Sequence, residues 1–193
     1  MFLSPIKIIM KLPANASKVF DGILFNIYQR QQEQFDGSFK TFECAERGDV
    51  VKSIPIIGDK ILISRDEQPG LSWARDLFGW FVETGENMDE AIKRETEEES
   101  WYIFQEYTPR RYSPYGMKVM WGKHYYLAKN CTGRTDQNLD AGWERITIHE
   151  VDFDRFIEII ISDEFCKPDF ARYITKNYIL PNKLDELKHI FFR

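Results

Sequence analysis

The stretch Gly79–Tyr102, GWFVETGENMDEAIKRETEEESWY, decides how this chain is read. A glycine turn leads into a segment whose composition predicts a helix over about Met88–Ser100. Asn87 suits its N-cap, and Glu90 three residues on completes a capping box. On that helix Glu95, Glu98 and Glu99 stand at i, i+3 and i+4 and share one face. Like charges at this spacing repel by about 0.2–0.5 kcal/mol per pair. Acids near the C-terminal end of a helix also oppose its dipole, at roughly 0.3–1 kcal/mol each. A helix selected for stability alone avoids such a cluster. A divalent cation removes the conflict, because carboxylate oxygens are preferred ligands of Mg²⁺ and Mn²⁺.

The charge is local. Glu83–Glu99 holds eight acids and two bases, a net of −6, against −5 for the whole chain. A diffusely acidic tail or disordered region spreads its charge instead.

The 193 residues suit one domain, or one domain with a small extension. A hydrophobic content of 43% and an aromatic content of 15% supply a packed core. Mean hydropathy of −0.45 and the lack of an apolar run near 20 residues exclude a membrane helix. The start, MFLSPIKIIMKL, is short and broken by Pro5 and Lys7, which argues for an early strand over a signal peptide. Cys44, Cys131 and Cys166 are odd in number and widely spaced, as in a reduced, cytoplasmic protein. No CxxC pair and no histidine spacing points to zinc. A sequence pI of about 5.3 without a basic cluster argues against a nucleic-acid surface.

The first half reads as strands: Val19–Gln29, Phe39–Cys44 after a turn at Asp36-Gly37, then Val50–Ile57 and Ile61–Ser64 around Gly58-Asp59. Pro55 predicts an edge or a bulge in its strand. A loop follows up to the glycine turn. Beyond the acidic helix, Met117–Lys129 predicts a long strand, Asn130–Gly142 a loop and candidate lid, and Arg145–His149 a short strand. Asp152–Ser162, Pro168–Tyr178 and Leu184–Phe192 read as helices, with Pro168 and Pro181 as helix starts. This order predicts an α+β chain, a mixed sheet sandwiched between helices.

The central stretch resembles the Nudix box, G-x5-E-x7-R-E-U-x-E-E-x-G-U with U apolar. Glu86, Arg94-Glu95, Glu98-Glu99 and Tyr102 match at the required spacing. DEQPG (Asp66–Gly70), YSPYG (Tyr112–Gly116), FDGSFKTFE and the strand end Leu127-Ala128-Lys129 resemble the ADP-ribose and nucleotide-sugar pyrophosphatase branch. The family's first Gly falls on Trp80, the apolar position after R-E on Thr96, and the late Gly on Trp101.

The resemblance implies a Nudix fold over residues 46–193, preceded by an N-terminal antiparallel strand extension, 1–45, that joins two copies into a homodimer. It implies hydrolysis of a pyrophosphate bond in ADP-ribose or a related nucleoside diphosphate sugar, with Mg²⁺ or Mn²⁺. Glu95, Glu98 and Glu99 are then the metal ligands, with the carbonyl of Gly79. Glu86 and Arg94 bridge turn and helix. Glu144 is the candidate general base, with Asp140 second. Arg65 is a candidate phosphate contact. Phe25, Tyr28, Trp73 and Trp80 are candidate stacking aromatics, Trp80 narrowing the cleft. Two alternatives stay open: a Nudix hydrolase acting on a dinucleotide or nucleoside triphosphate, and a catalytically weak nucleotide sensor.

Overall fold

A computed structural model describes residues 12–114, 118–136, 142 and 144–193. The early strand expected within Met1–Leu12 and the second candidate base, Asp140, lie outside the described residues, Leu12 apart.

Among the described residues, ten strands form two sheets. The first sheet holds β1 (Ser17–Asp21), β2 (Asn26–Glu33), β3 (Phe39–Glu46) and the short β8 (Val119–Met120), in that order. The strand expected as Val19–Gln29 is two strands, because the backbone reverses where Gly22 N–H donates to Phe25 O. The second sheet runs β10 (Arg145–Val151), β5 (Lys60–Glu67), β4 (Val50–Ile57), β9 (Gly122–Arg134) and β7 (Tyr102–Pro114), with β6 (Ala74–Asp76) added on β5. It is mixed, since β4 runs parallel to β9 while the other pairs are antiparallel.

Helices cover both faces of this sheet. Residues alternate across a strand, so Tyr126 and Val51 meet Ala91 and Ile92 of α1 (Met88–Ser100) on one side. Tyr125, Leu127, Ile54 and Ile63 meet Phe156, Phe170 and Phe191 on the other. Those phenylalanines belong to α2 (Phe153–Ile160), α3 (Pro168–Ile174) and α4 (Leu184–Phe192). Among the described residues no helix is long and apolar enough to cross a membrane.

Further expectations are corrected. Tyr102–Pro114 is a 13-residue strand that sequence reading missed. Its partner β9 runs to Arg134, so Asn130–Arg134 is strand and not loop, and the strand expected from Met117 is broken at Trp121. Pro181 sits in a turn ahead of α4, which starts at Leu184.

Pro55 lies on a central strand, and the way the sheet opens explains it. The β4–β5 ladder holds only Ile56↔Ile61 and Ile57↔Lys60 before the strands part. Residues 78–82 enter the gap. Val51 N–H donates to Trp80 O (3.0 Å) and Ser53 N–H to Phe78 O (2.6 Å), while Val82 N–H donates to Asp49 O (3.0 Å). Alternate residues aim their N–H groups at the same edge, so the N–H that Pro55 lacks would face the split. This split between β4 and β5 opens the cleft.

Candidate functional site

Each wall of the cleft has a local cause. The α1 capping box is complete: the Asn87 side chain accepts from Asp89 and Glu90 N–H, and Asn87 N–H donates to Glu90. This fixes where α1 starts, and so which residues of its last two turns point inward. Glu95, Glu98 and Glu99 line a cleft of about 550 Å³ together with Lys52, Asp66, Asp76, Trp80 and Glu144.

Arg94 ties turn to helix. Its Nε and Nη2 donate to the two oxygens of Glu86, both at 2.9 Å, and Nη2 also reaches Phe81 O at 3.1 Å. Such a paired Arg–carboxylate contact fixes direction as well as distance. Nη1 donates to Glu95 Oε1 (2.8 Å) and Glu98 Oε2 (3.2 Å). The Arg94 hydrogen bonds hold the Glu86 carboxyl below its usual range.

Gly79 is required where it stands. Its φ is +122°, and a Cβ there would lie 2.4 Å from Val51 O. The close approach lets Gly79 N–H donate to Glu99 Oε2 at 2.6 Å. Its carbonyl takes no part in the bonds to β4, which use Phe78 and Trp80.

The two departures on α1 are absorbed. Thr96 is fully buried; its hydroxyl donates to Ile92 O at 2.5 Å and pairs with the Ser53 hydroxyl at 2.8 Å, polar contacts in place of an apolar one. Trp101 adopts the left-handed C-cap conformation, φ 55°, at a position where glycine avoids a cost of about 1–2 kcal/mol.

Beneath the acids lies a buried ion cluster. Lys52 Nζ donates to Asp76 Oδ2 (2.9 Å) and Leu77 O (2.8 Å), and Lys167 Nζ donates to the same Asp76 oxygen (2.6 Å). Burial alone would raise the Asp76 carboxyl, but Lys52 and Lys167 outweigh it and hold it at about 2. Sequence reading missed Lys52, Asp66, Asp76 and Lys167. A charged residue at a strand's inward-facing position is the signal that Lys52 offered.

The acids above are under-compensated. Burial pushes the Glu95 carboxyl up to about 7 despite Arg94, and drives Glu99 well above the usual range despite Lys52. Asp66 reaches about 6 through burial and the nearby Asp76 charge, and its Oδ1 is buried without a hydrogen-bond partner among the described residues. Among the described residues no three Asp, Glu, His or Cys side chains are grouped closely enough to hold a metal ion as they stand; Arg94 donates to Glu95 and Glu98, and Gly79 N–H to Glu99. The donor set nonetheless fits an oxygen-liganded dication: three carboxylates on one rigid helix, in excess over the cations beside them.

The Asp66 environment sets a pH dependence. A carboxyl whose pKa is about 6 folded and 3.8 unfolded adds no penalty below pH 4. It costs stability as pH rises from 4 to 6, with the full cost present above. Asp66→Asn is therefore expected to stabilise metal-free protein by up to about 3 kcal/mol at pH 8 and to have little effect near pH 4. Urea denaturation at the two pH values checks this, and an equal shift at both contradicts it.

Other expected site residues lie elsewhere. Arg65 faces away from Asp66, on the opposite side of β5, where it pairs with Glu67 (3.1 Å) and sits 4.8 Å from the Trp73 ring. It is not among the residues that line this cleft. Tyr28 donates to Glu46 Oε2 (2.9 Å) within the N-terminal sheet, also off the cleft wall. Phe25 belongs to an aromatic cluster behind Trp80. Glu144 lines the cleft just ahead of β10.

No family model and no curated protein matches the sequence. The solved crystal structure of an ADP compounds hydrolase superposes with a TM-score of 0.70 over 88% of this chain and 94% of that chain, at 16% identity. Identity this low carries the fold alone: the chain is a mixed α+β protein built like that hydrolase, with its carboxylate-lined cleft where β4 and β5 separate.

Proposed function

We propose that this chain is a Nudix hydrolase that uses Mg²⁺ or Mn²⁺ to cleave the pyrophosphate bond of ADP-ribose or a related nucleoside diphosphate sugar, releasing a nucleoside monophosphate and a sugar phosphate. One observation carries it. Glu95, Glu98 and Glu99 share a cleft with Glu144 and the Gly79 turn, and Arg94 locks the helix bearing them to Glu86.

Glu95, Glu98 and Glu99, with the Gly79 carbonyl, would hold the metal, which supplies charge neutralisation at the phosphates and activation of water. The chain's own groups do the rest. Arg94 keeps the carboxylate face in register against the turn. Lys52 places a fixed positive charge under Glu99 and favours its ionised form. Glu144, on the cleft wall, would take the proton of the attacking water as general base. Seven acids line the cleft against Lys52 and Arg94, so a diphosphate enters only with cations. That dependence separates this cleft from a simple anion-binding pocket.

The N-terminal strands are proposed to join two copies. The exposed Phe20 and Phe39 of these strands, with Ile23 and Phe35 of the turns between them, suit an apolar contact, and light scattering at micromolar concentration tests it.

A phosphate-coupled assay on a panel of nucleoside diphosphate compounds, with each metal, tests the activity. Turnover of ADP-ribose or a nucleotide sugar supports it. A protein that binds a nucleotide but turns over none is the sensor instead.

A further inference from the structure

We propose that Trp80 is a stacking platform for the substrate's planar base, clamped from behind by Arg47, and that it selects nucleoside diphosphate compounds over diphosphates without an aromatic ring. The inference rests on the hydrolase assignment above and adds what that assignment leaves open, the part of the substrate that is recognised.

The cleft lining combines two chemistries. Acids make up most of it, and Leu24, Trp80 and Phe81 supply the apolar part. Trp80 is 45% exposed and Leu24 48%, beside a phosphate-directed centre where apolar side chains gain nothing from the phosphates themselves. A cleft serving the diphosphate alone has no use for an exposed indole. A planar, apolar-faced ring next to the diphosphate does.

The platform is built to stay put. The Arg47 guanidinium lies 3.7 Å from the Phe81 ring centroid, 5.3 Å from Trp80, 5.2 Å from Trp121 and 5.5 Å from Phe25. Phe81 meets Trp80 edge-on, centroids 5.3 Å apart at 84°. Phe25 and Trp121 pack on each other at 5.5 Å. These rings come from the β1–β2 turn, the Gly79 turn and the break between β8 and β9. A guanidinium prefers ring faces, so one cation pins three separate segments and holds the indole from one side. Trp80 nonetheless stays 45% exposed and lines the cleft. A side chain immobilised before the ligand arrives loses little further entropy on binding.

Trp80 occupies the place where the box pattern carries glycine, and Gly79, one residue earlier, meets the backbone demand in its stead. The substitution therefore adds a ring without giving up the turn.

Stacking of a base on an aromatic ring contributes roughly ten- to a hundredfold in affinity. Two variants separate planarity from bulk: Trp80→Leu keeps apolar volume without a flat face, and Trp80→Phe keeps the face. Calorimetry with the α,β-methylene analogue of ADP-ribose, in Mg²⁺, reads binding. Steady-state kinetics on ADP-ribose and on a ribosyl diphosphate without a base reads selectivity. Circular dichroism checks that each variant folds. The expected result is at least a tenfold rise in Kd and KM for Trp80→Leu, with kcat within a few-fold, and recovery of most of the loss in Trp80→Phe. The ratio of kcat/KM between base-bearing and base-free substrates falls at least tenfold in Trp80→Leu. If wild type turns over nucleotides but Trp80→Leu matches it, or loses both substrates equally, the platform is wrong and the hydrolase assignment stands. If wild type neither binds nor cleaves any nucleotide, both fall.

Discussion

Glu99→Gln is expected to lower kcat with Mg²⁺ at least roughly a hundredfold and, in the same protein stripped of metal, to raise Tm at pH 8. The two effects have one origin. Glu99 is buried against Gly79, and burial drives its carboxyl well above the normal range. Ionising it in the folded chain costs stability, and a group with a raised folded pKa loses stability as pH rises. Glutamine keeps an oxygen for the Gly79 N–H and removes the charge. It therefore relaxes the metal-free protein while deleting a charge that the proposed metal-assisted attack would draw on. Glu95→Gln is expected to follow the same pattern, its carboxyl standing at about 7. Kinetics and a pH 8 thermal melt in chelator check both halves. Retained activity, or a lower metal-free Tm, contradicts the role given to Glu99.

Asp76→Ala carries the largest expected effect on folding. Asp76 is 5% exposed and compensates two ammonium groups, Lys52 at 2.9 Å and Lys167 at 2.6 Å, while its other oxygen accepts Leu77 N–H at 2.6 Å. Removing one partner of a buried pair leaves charge without compensation, at about 3–5 kcal/mol. That is a large share of the roughly 5–15 kcal/mol that holds a domain folded. Adding Lys52→Met to the Asp76→Ala chain is expected to recover part of the loss, because it deletes one stranded charge. Chemical denaturation of both single variants and the double variant reads the coupling. Additive losses would show that the pair does not interact as drawn. The acid limb of stability has the same source: with the folded carboxyl at about 2 against 3.8 unfolded, the stabilisation from Asp76 is present above pH 4 and fades as pH falls through 2.

The acidic helix was legible because its chemistry is local. Asn87, Glu90 and the i, i+3, i+4 spacing all belong to one short segment, and α1 spans Met88–Ser100 as expected. The hairpin at Gly58-Asp59 and the helices starting near Phe153, Pro168 and Leu184 were legible for the same reason. What escaped depends on pairings across the chain. β7 alternates poorly, with Arg110 and Arg111 adjacent, and becomes a strand by pairing with β9 over its whole length. Pro55 suits a central strand only because β5 departs there. Lys52 and Lys167 are 115 positions apart yet meet on Asp76, and no spacing rule links them. Strand alternation separates Arg65 from its neighbour: Asp66 lines the cleft while Arg65 packs on Trp73.

The departures at Trp80, Thr96 and Trp101 gave weight to a non-catalytic sensor. Thr96 is paired with Ser53 and Trp101 closes the helix, so neither displaces Glu95, Glu98 or Glu99 from the cleft.

Metal uptake decides the matter most directly. Titration of metal-free protein with Mn²⁺ at pH 8, followed by calorimetry and by the loss of the free-ion paramagnetic resonance signal, is expected to give saturable binding in wild type that weakens at least about tenfold in Glu99→Gln and further in a Glu95→Gln/Glu99→Gln double variant. Wild type with no saturable uptake, or variants that bind as tightly as wild type, would mean that these carboxylates serve another purpose.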